Sequence, residues 1–504
     1  MKQKKEAMTT IETGVGRKVN GRVLTGAWVL LAVAVLSRGV LLGIPALCDN
    51  TESRYGVIGY EMARSGDWLT PRLWYNGVFQ PFWGKPPMHF WATAASFRLF
   101  GQNEVASRLP GFLGGLAILL SAFLFARRFW GVTTGAVTGA VLASTLLFLG
   151  LAGSCTTDIT LASFLAVAMS AFAFYASAEP GWKRRLWGLL FFVAMAGAVM
   201  AKGPVALVLA GLSLAGWSAI TGRWRDVLRL PWWLGVPAFL LLTVPWFFLA
   251  EKATPGFLHY YFVSEHFLRY IKHDYGDLYG GGHARPWGTI WGLMAVSFLP
   301  WIFYWIKPIR GFLVNASDRR IILRDEWLVY ALAWGLAPAV FFTFARQVLP
   351  TYLAPGMAGL AVATAVGLVR RDSYRRLAGG WMAVAVFCGA LIVGGPYISE
   401  KYSTRDMVKV VAASPRLARL PLSFPMGEPY SGDFYSWKYL GHAMIHDSAV
   451  PGVGRVQSEI ARRSRSILLI PRRKIALLPG TVFSRLEEVA GTRSWAGFTV
   501  KGVQ

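Results

Sequence analysis

Ionisable side chains gather between residues 48 and 87, directly after the first long apolar run. Asp49, Glu52, Arg54, Glu61, Asp67 and Lys85 fall there, in a chain that is only 15% charged. Long apolar segments flank the stretch. Charged groups beside a bilayer span are costly unless they face water or a ligand. Carboxylates can act as bases or steady a developing positive charge, and cations can hold a phosphate. The stretch reads as half of an active site at one membrane face, with Asp49 and Glu52 as candidate catalytic acids.

Other segments supply the second half. Asp158, in GSCTTDIT, either caps the helix that follows it or joins Asp49 as a site carboxylate. Lys202, in MAKGP, snorkels to the headgroups or meets an anion. With Arg54, Lys85, Arg269, Arg285 and Arg346 it forms a set of cations suited to clamp a phosphate at the depth of a lipid head. The segment HYYFVSEHFLRY adds His259, Glu265 and His266. A spacing of seven places His259 and His266 on one helix face with Tyr270. His273 and His283 follow, but no compact H-x-x-x-H pairing is present. Spacing therefore names no metal ligand, and a divalent metal is the one cofactor left open.

These residues must be held by the elements between them. The 504 residues are 54% hydrophobic and include 22 tryptophans, a composition that belongs to polytopic membrane proteins. Runs long enough to span lie near 24–46, 109–126, 131–152, 158–176, 187–202, 203–221, 231–250, 288–306, 326–344, 350–369 and 378–398, about eleven in all. The formal net charge of +26 does not point to nucleic acid, because the Lys and Arg residues collect in alternate short loops, as the positive-inside rule requires. Arg127 and Arg128, Lys183 to Arg185, and Arg370 with Arg371 are examples. This pattern places the basic N-terminus (residues 1–23) in the cytoplasm and the segments 47–108 and 251–287 outside. In the first outer segment, GVIGYEMARSGDW and KPPMHFWATAASFRLF read as amphipathic helices. Arg38, in the outer half of the first run, snorkels outward or joins the anion site.

The fold expected is a polytopic α-helical membrane domain over 24–398, followed by a small extracytoplasmic α/β domain over 399–504. In that tail LPLSFPMG, RSILLIP, KIALLPG and WAGFTVKG are short apolar runs between turns, and SEIARRS and SRLEEVAG look helical. Cys48, Cys155 and Cys388 are too few for a disulfide scaffold; Cys48 and Cys155 either pair across the outer loops or stay free.

The sequences TESRYG, EMARSGDWLTP and PFWGKPP together resemble the first outer loop of bacterial integral-membrane glycosyltransferases of superfamily C, of the lipid A aminoarabinose transferase type, related to protein mannosyltransferases. CTTD, AKG, VPW, HYYFVSEHFLRY, HARPW, FLPW, RQVLPTY and EPYSGDFYSW extend the resemblance over most of the chain. It implies inverting transfer of a sugar from a polyprenyl-phosphate donor to a lipid or glycan acceptor outside the cytoplasm, in a bacterial inner membrane. By position it carries over Glu52, Arg54, Tyr55, Lys85, Asp158, Lys202, His259, Arg269, Arg346 and Tyr352. Two departures stand out: Thr51 occupies the family's first-loop Asp position, and Gly84 replaces the Glu that many relatives place before Lys-Pro-Pro. A protein O-glycosyltransferase differs only in acceptor. A flippase for polyprenyl-linked lipid would need no chemistry, but favours charged or broken helices at mid-membrane, whereas these spans are almost uncharged.

Overall fold

The computed structural model describes residues 21–75, 77–272, 278–279, 284–447 and 451–503. Among them, seven helices are long and apolar enough to cross a membrane: Gly21–Gly43, Glu104–Ala143, Thr157–Ser177, Trp182–Lys202, Trp232–Ala253, Pro350–Arg370 and Tyr374–Tyr402. Val205–Thr221 and Glu326–Phe342 are shorter apolar helices. The expected runs fall on these helices, with two differences that have local causes. Runs 109–126 and 131–152 share one 40-residue helix, broken at Gly131 with φ 88° and ψ 170°. Glycine reaches such a conformation without the steric penalty of a Cβ. There the chain doubles back, so that a Cβ at Gly135 would lie 3.1 Å from the Phe123 carbonyl oxygen. Arg127 and Arg128 sit just before this turn. Run 288–306 is split into Thr289–Ser297 and Ile302–Val314, with Pro300 in the gap.

The helices are numbered α1 (Gly21–Val40), α2 (Thr51–Ser65), α3 (Met88–Phe100), α4 (Glu104–Ala143), α5 (Thr157–Ser177), α6 (Trp182–Lys202) and α7 (Val205–Thr221), then α8 (Ile302–Val314), α9 (Ala316–Arg324), α10 (Glu326–Phe342) and α11 (Ala354–Arg370). Their core is aromatic. Phe172 stacks on Tyr330 at 5.9 Å, and Trp217 meets Tyr330 edge-on at 5.4 Å. The Tyr330 hydroxyl donates to the Met169 carbonyl at 2.7 Å, which satisfies a polar group in an apolar interior. Where α10 and α11 cross, small residues allow backbone contact, the usual device for helix association in lipid.

On the side opposite the basic turns, α2 and α3 fall on the two stretches expected to be helical. Between them lies an antiparallel hairpin not anticipated from the sequence, β1 (Arg72–Tyr75) with β2 (Val78–Pro81). Asn76 lies outside the described residues. Beyond Tyr402 a four-stranded sheet runs β3 (Leu422–Ser423), β4 (Ile467–Pro471), β6 (Trp495–Val500), β5 (Leu486–Gly491), with β3 parallel to β4 and the other pairs antiparallel. One reading of the tail is corrected. SRLEEVAG forms strand β5 because pairing with β6 and burial of Leu486 outweigh the helix preference of Leu and Glu. KIALLPG forms no strand; its first residues end the short helix Arg472–Ile475. SEIARRS is helical in its first half, within Val453–Ala461.

The close crossing yields a prediction. A Cβ on Gly359 would lie 2.7 Å from the Gly335 backbone nitrogen. Gly359→Val is expected to force α10 and α11 apart and lower stability by about 1–3 kcal/mol, read as a lower Tm of the purified protein in detergent.

Candidate active site

A cavity of about 400 Å³ opens where the ends of α6 and α10 meet the outer segment around 257–271. Lys85, Lys202, Glu265, His266, Arg269, Gln347 and Tyr352 supply its polar lining, and Leu161, Val205, Val208, Phe262 and Phe341 are among its apolar walls. It is a largely apolar pocket with a cluster of cations at one end, the shape a lipid with a charged head requires.

Each polar side chain has a local reason for its place. Lys202 is the last residue of α6. Gly203 then takes φ +86°, and Pro204 precedes α7, so the connection between the two helices is as short as the sequence implied. Gly203 also leaves room for the outer segment: a Cβ there would sit 2.8 Å from His266 Nε2 and still nearer the Tyr261 hydroxyl. Residues Tyr260–Leu268 form a π-helix, a rare form that recurs at functional sites. Its wider turn undoes the expected pairing of histidines. His266 is half-buried in the cavity wall, while His259 is exposed and lies away from it. His273 and His283 lie outside the described residues.

The charges are paired in two groups. Lys202 Nζ forms an ion pair with Asp158 and stands 4.3 Å from the centre of the Tyr352 ring. Lys85 Nζ pairs with Glu265, and Arg269 Nη1 reaches the same carboxylate oxygen at 2.8 Å. Arg269 Nε also donates to Gln347 Oε1 at 3.2 Å. The second oxygen of Glu265 is buried and accepts no hydrogen bond among the described residues. Burial opposes the charge on Glu265, but Lys85 and Arg269 outweigh it and hold the carboxyl below its ordinary range. Burial, with Lys85 pressing the same way, lowers the His266 pKa and favours the neutral ring. Its Nδ1 lies 2.7 Å from the Tyr261 carbonyl and Nε2 3.2 Å from that of Lys202. A neutral ring carries one N–H and donates to one of these carbonyls, and His266 packs the π-helix against the end of α6.

The remaining candidates separate from this cavity. Asp49 is enclosed by the C-terminal segment: both its oxygens accept from Ser431, from the backbone N–H at 2.9 Å and from the hydroxyl. Burial, reinforced by Asp433, raises its pKa to about 7. Glu52 is gripped by Arg108, with Nε at 2.8 Å and Nη2 at 2.7 Å, and also accepts from the Cys155 N–H. Asp49 and Glu52, expected as catalytic acids, thus join segments of the chain, and neither lines this cavity. Arg54 lies within 5.3 to 5.9 Å of the Tyr55, Phe82 and Tyr430 ring centres and donates to the Tyr279 carbonyl. Tyr55 is buried in the same aromatic cluster. Arg346 stacks over Trp287 at 4.1 Å, and its carbonyl accepts from the Arg285 N–H; the Arg285 side chain is exposed. Arg38 neither snorkels nor meets an anion site: it is buried and donates to the Leu149 and Gly153 carbonyls at 3.0 and 2.8 Å. All three cysteines are free, and Cys155 faces His89 instead of Cys48.

Two residues of consequence escaped the sequence reading. Gln347 orients Arg269, and Arg108 anchors Glu52. An arginine at the start of an apolar run, as in ASRLPG, was the available signal for the second. Gly84 leaves no ligand for a metal, and a Cβ there would meet the Phe82 ring at 2.8 Å. Among the described residues no three His, Cys, Asp or Glu side chains cluster to hold an ion.

Residues 31–261 match the family model for dolichyl-phosphate-mannose-protein mannosyltransferase. An undecaprenyl phosphate-alpha-4-amino-4-deoxy-L-arabinose arabinosyl transferase from Shewanella sediminis is 31% identical over 334 residues, covering 65% of this chain and 57% of the relative. One from an Enterobacter species is 28% identical over 380 residues, covering 73% and 66%. The chain thus spans less than two thirds of the length of these relatives. The crystal structure of ArnT from Cupriavidus metallidurans bound to undecaprenyl phosphate superposes with a TM-score of 0.74 at 22% identity, over 94% of this chain and 98% of that one. The chain resembles the aminoarabinose transferases of glycosyltransferase superfamily C. The ArnT likeness covers nearly the whole chain, the sheet beyond Tyr402 and the helical frame alike, and it establishes the fold.

Two predictions follow from the displaced acids. Glu52→Ala leaves Arg108 charged and buried, with a side chain only 5% exposed. A loss of about 3–5 kcal/mol is expected, seen as a large drop in Tm. Asp49 binds its proton more tightly folded than unfolded, so stability is expected to fall as pH rises from about 4 to about 7. Asp49→Asn keeps an acceptor for Ser431 and is expected to flatten that part of the Tm–pH curve.

Proposed function

We propose that this chain is a membrane glycosyltransferase that moves a sugar from a polyprenyl-phosphate donor to a lipid acceptor of the lipid A kind, at the outer face of a bacterial inner membrane. The observation that carries this reading is the convergence of Lys85, Lys202 and Arg269 at one end of an apolar cavity. The names of the relatives and the undecaprenyl phosphate in the ArnT structure support the same choice of donor.

In this reading the donor's phosphate takes the place of Glu265 and Asp158 as partner of the three cations. Their positive charge stabilises the phosphate as the sugar leaves. Tyr352 packs beside Lys202 and limits its freedom, and Gln347 fixes the plane of the Arg269 guanidinium. The polyprenyl tail follows the apolar walls towards lipid. Asp158, released from Lys202, faces the sugar's developing oxocarbenium charge and the acceptor. An acceptor hydroxyl needs Asp158 as base; an acceptor phosphate, already ionised, needs none. His266 and Glu265 position the π-helix and the two cations it shares. The sugar is a pentose if it follows that of the relatives.

Lys85→Ala and Asp158→Asn are each expected to reduce transfer by at least about 100-fold while the protein still elutes as a folded species. The measurement is release of free polyprenyl phosphate from a labelled polyprenyl-phosphate sugar by purified protein. Intact donor appearing across a vesicle wall, with none cleaved, would identify a flippase instead.

A further inference from the structure

A second cavity lies at the far end of α11 from the first. Tyr352 stands just before α11 and Arg370 at its end, and the 17 residues of α11 rise about 25 Å between them at about 1.5 Å each. The second cavity therefore opens at the opposite membrane face, the one that carries the basic turns. It measures about 260 Å³ and sits between α8, α9, α10 and α11. Trp305, Ile322, Leu332, Ala363 and Val366 are among its apolar walls. Arg370, Arg371, Asp318 and the phenol of Tyr304 are its polar groups.

The cations there are not all paired with carboxylates, as those of the first cavity are. Arg370 is neutralised by Asp325, which also accepts from Trp130 Nε1 at 2.9 Å. Arg371 has no carboxylate partner among the described residues, and Arg376 lies over the Tyr304 ring at 5.2 Å, likewise without one. Arg319, Arg320 and Arg324 are exposed side chains of α9, whose Asp318 and Ile322 face the cavity. Asp318 is the single carboxylate in the lining, and its described contact is a long hydrogen bond of 3.4 Å from Asn315. The cavity is bordered by side chains left bare to the surroundings: Ile321 is 59% exposed and Ile306 63%. In a spanning protein such apolar exposure is contact with acyl chains. An apolar cleft open to the acyl region, with unpaired guanidinium groups at headgroup depth, has the two halves of a phospholipid site.

We propose that this cleft binds an anionic glycerophospholipid of the leaflet opposite the first cavity. Arg371 and Arg376 hold its phosphate, and one acyl chain enters between α8 and α11. Arg370 remains with Asp325 and completes the rim. Lipid bound there ties α9 and the loop after α11 to the helical frame at the end of the helix that positions Tyr352. This inference does not depend on the proposed glycosyl transfer.

The test is native mass spectrometry of the purified full chain released from nanodiscs of phosphatidylcholine mixed with phosphatidylglycerol. Wild type is expected to keep one phosphatidylglycerol in preference to phosphatidylcholine. Arg371→Ala combined with Arg376→Ala is expected to weaken retention about tenfold, with an unchanged elution volume. Ala363→Phe, which fills the apolar part and keeps both arginines, is expected to lose the adduct as well. Retention of the two lipids in proportion to their abundance would overturn the proposal, as would equal retention by wild type and both variants. Displacement of the lipid by millimolar inorganic phosphate would also overturn it, because it would make the site one for a free anion.

Discussion

The arrangement rests on a buried guanidinium. Arg108, at the start of α4, grips Glu52 with two nitrogens and turns the same group towards the carbonyls of Leu42, Pro45 and Ala46. One side chain therefore fastens the end of the first span, the first outer helix and the long α4 hairpin. A planar fork with five donors can do this, and a lysine cannot. The pair is far from water, so it holds only while both members and the carbonyls are in place. Every side chain that α2 and the following loop deliver to the outer face, Lys85 among them, inherits its position from this joint.

The cavity uses ion pairs of a different kind. Three cations share two carboxylates, and one carboxylate oxygen is left without a donor among the described residues. A buried ion pair whose partners are incompletely satisfied gives up its charge to an incoming ligand more readily than a saturated one such as Glu52 with Arg108. The surplus is positive, which suits an anionic head, and the walls are apolar, which suits a lipid tail, as the proposed donor has. The π-helix supports this balance, since it brings Glu265, His266 and Arg269 to bear on one space while leaving His259 outside.

Much of this was legible in the sequence. Apolar runs of spanning length gave the helical frame, and the alternation of basic turns distinguished its two faces. Lys85, Lys202, Arg269 and Tyr352 were singled out and do line one cavity. The acids Asp49 and Glu52 lie apart from it for a physical reason. Asp49 and Glu52 stood closest to a span and in the motif of the family, but proximity in sequence says nothing about which partner saturates a carboxylate. Those partners, Ser431 and Arg108, come from 382 and 56 residues away. The β1–β2 hairpin was missed because its strands are four residues each, too short for alternation to register. SRLEEVAG became a strand because a neighbour was waiting to pair with it.

What the chain determined alone was local or periodic: where it is apolar enough for lipid, where it turns, and which outer segments hold chemistry. Hydropathy and turn preference act over a few residues, so they are written where they operate. Tertiary structure decided which charges meet. Electrostatic partnership depends on distance in space and on the exclusion of water, and neither exists until α6, the π-helix and the segment before α11 have closed around the same cavity.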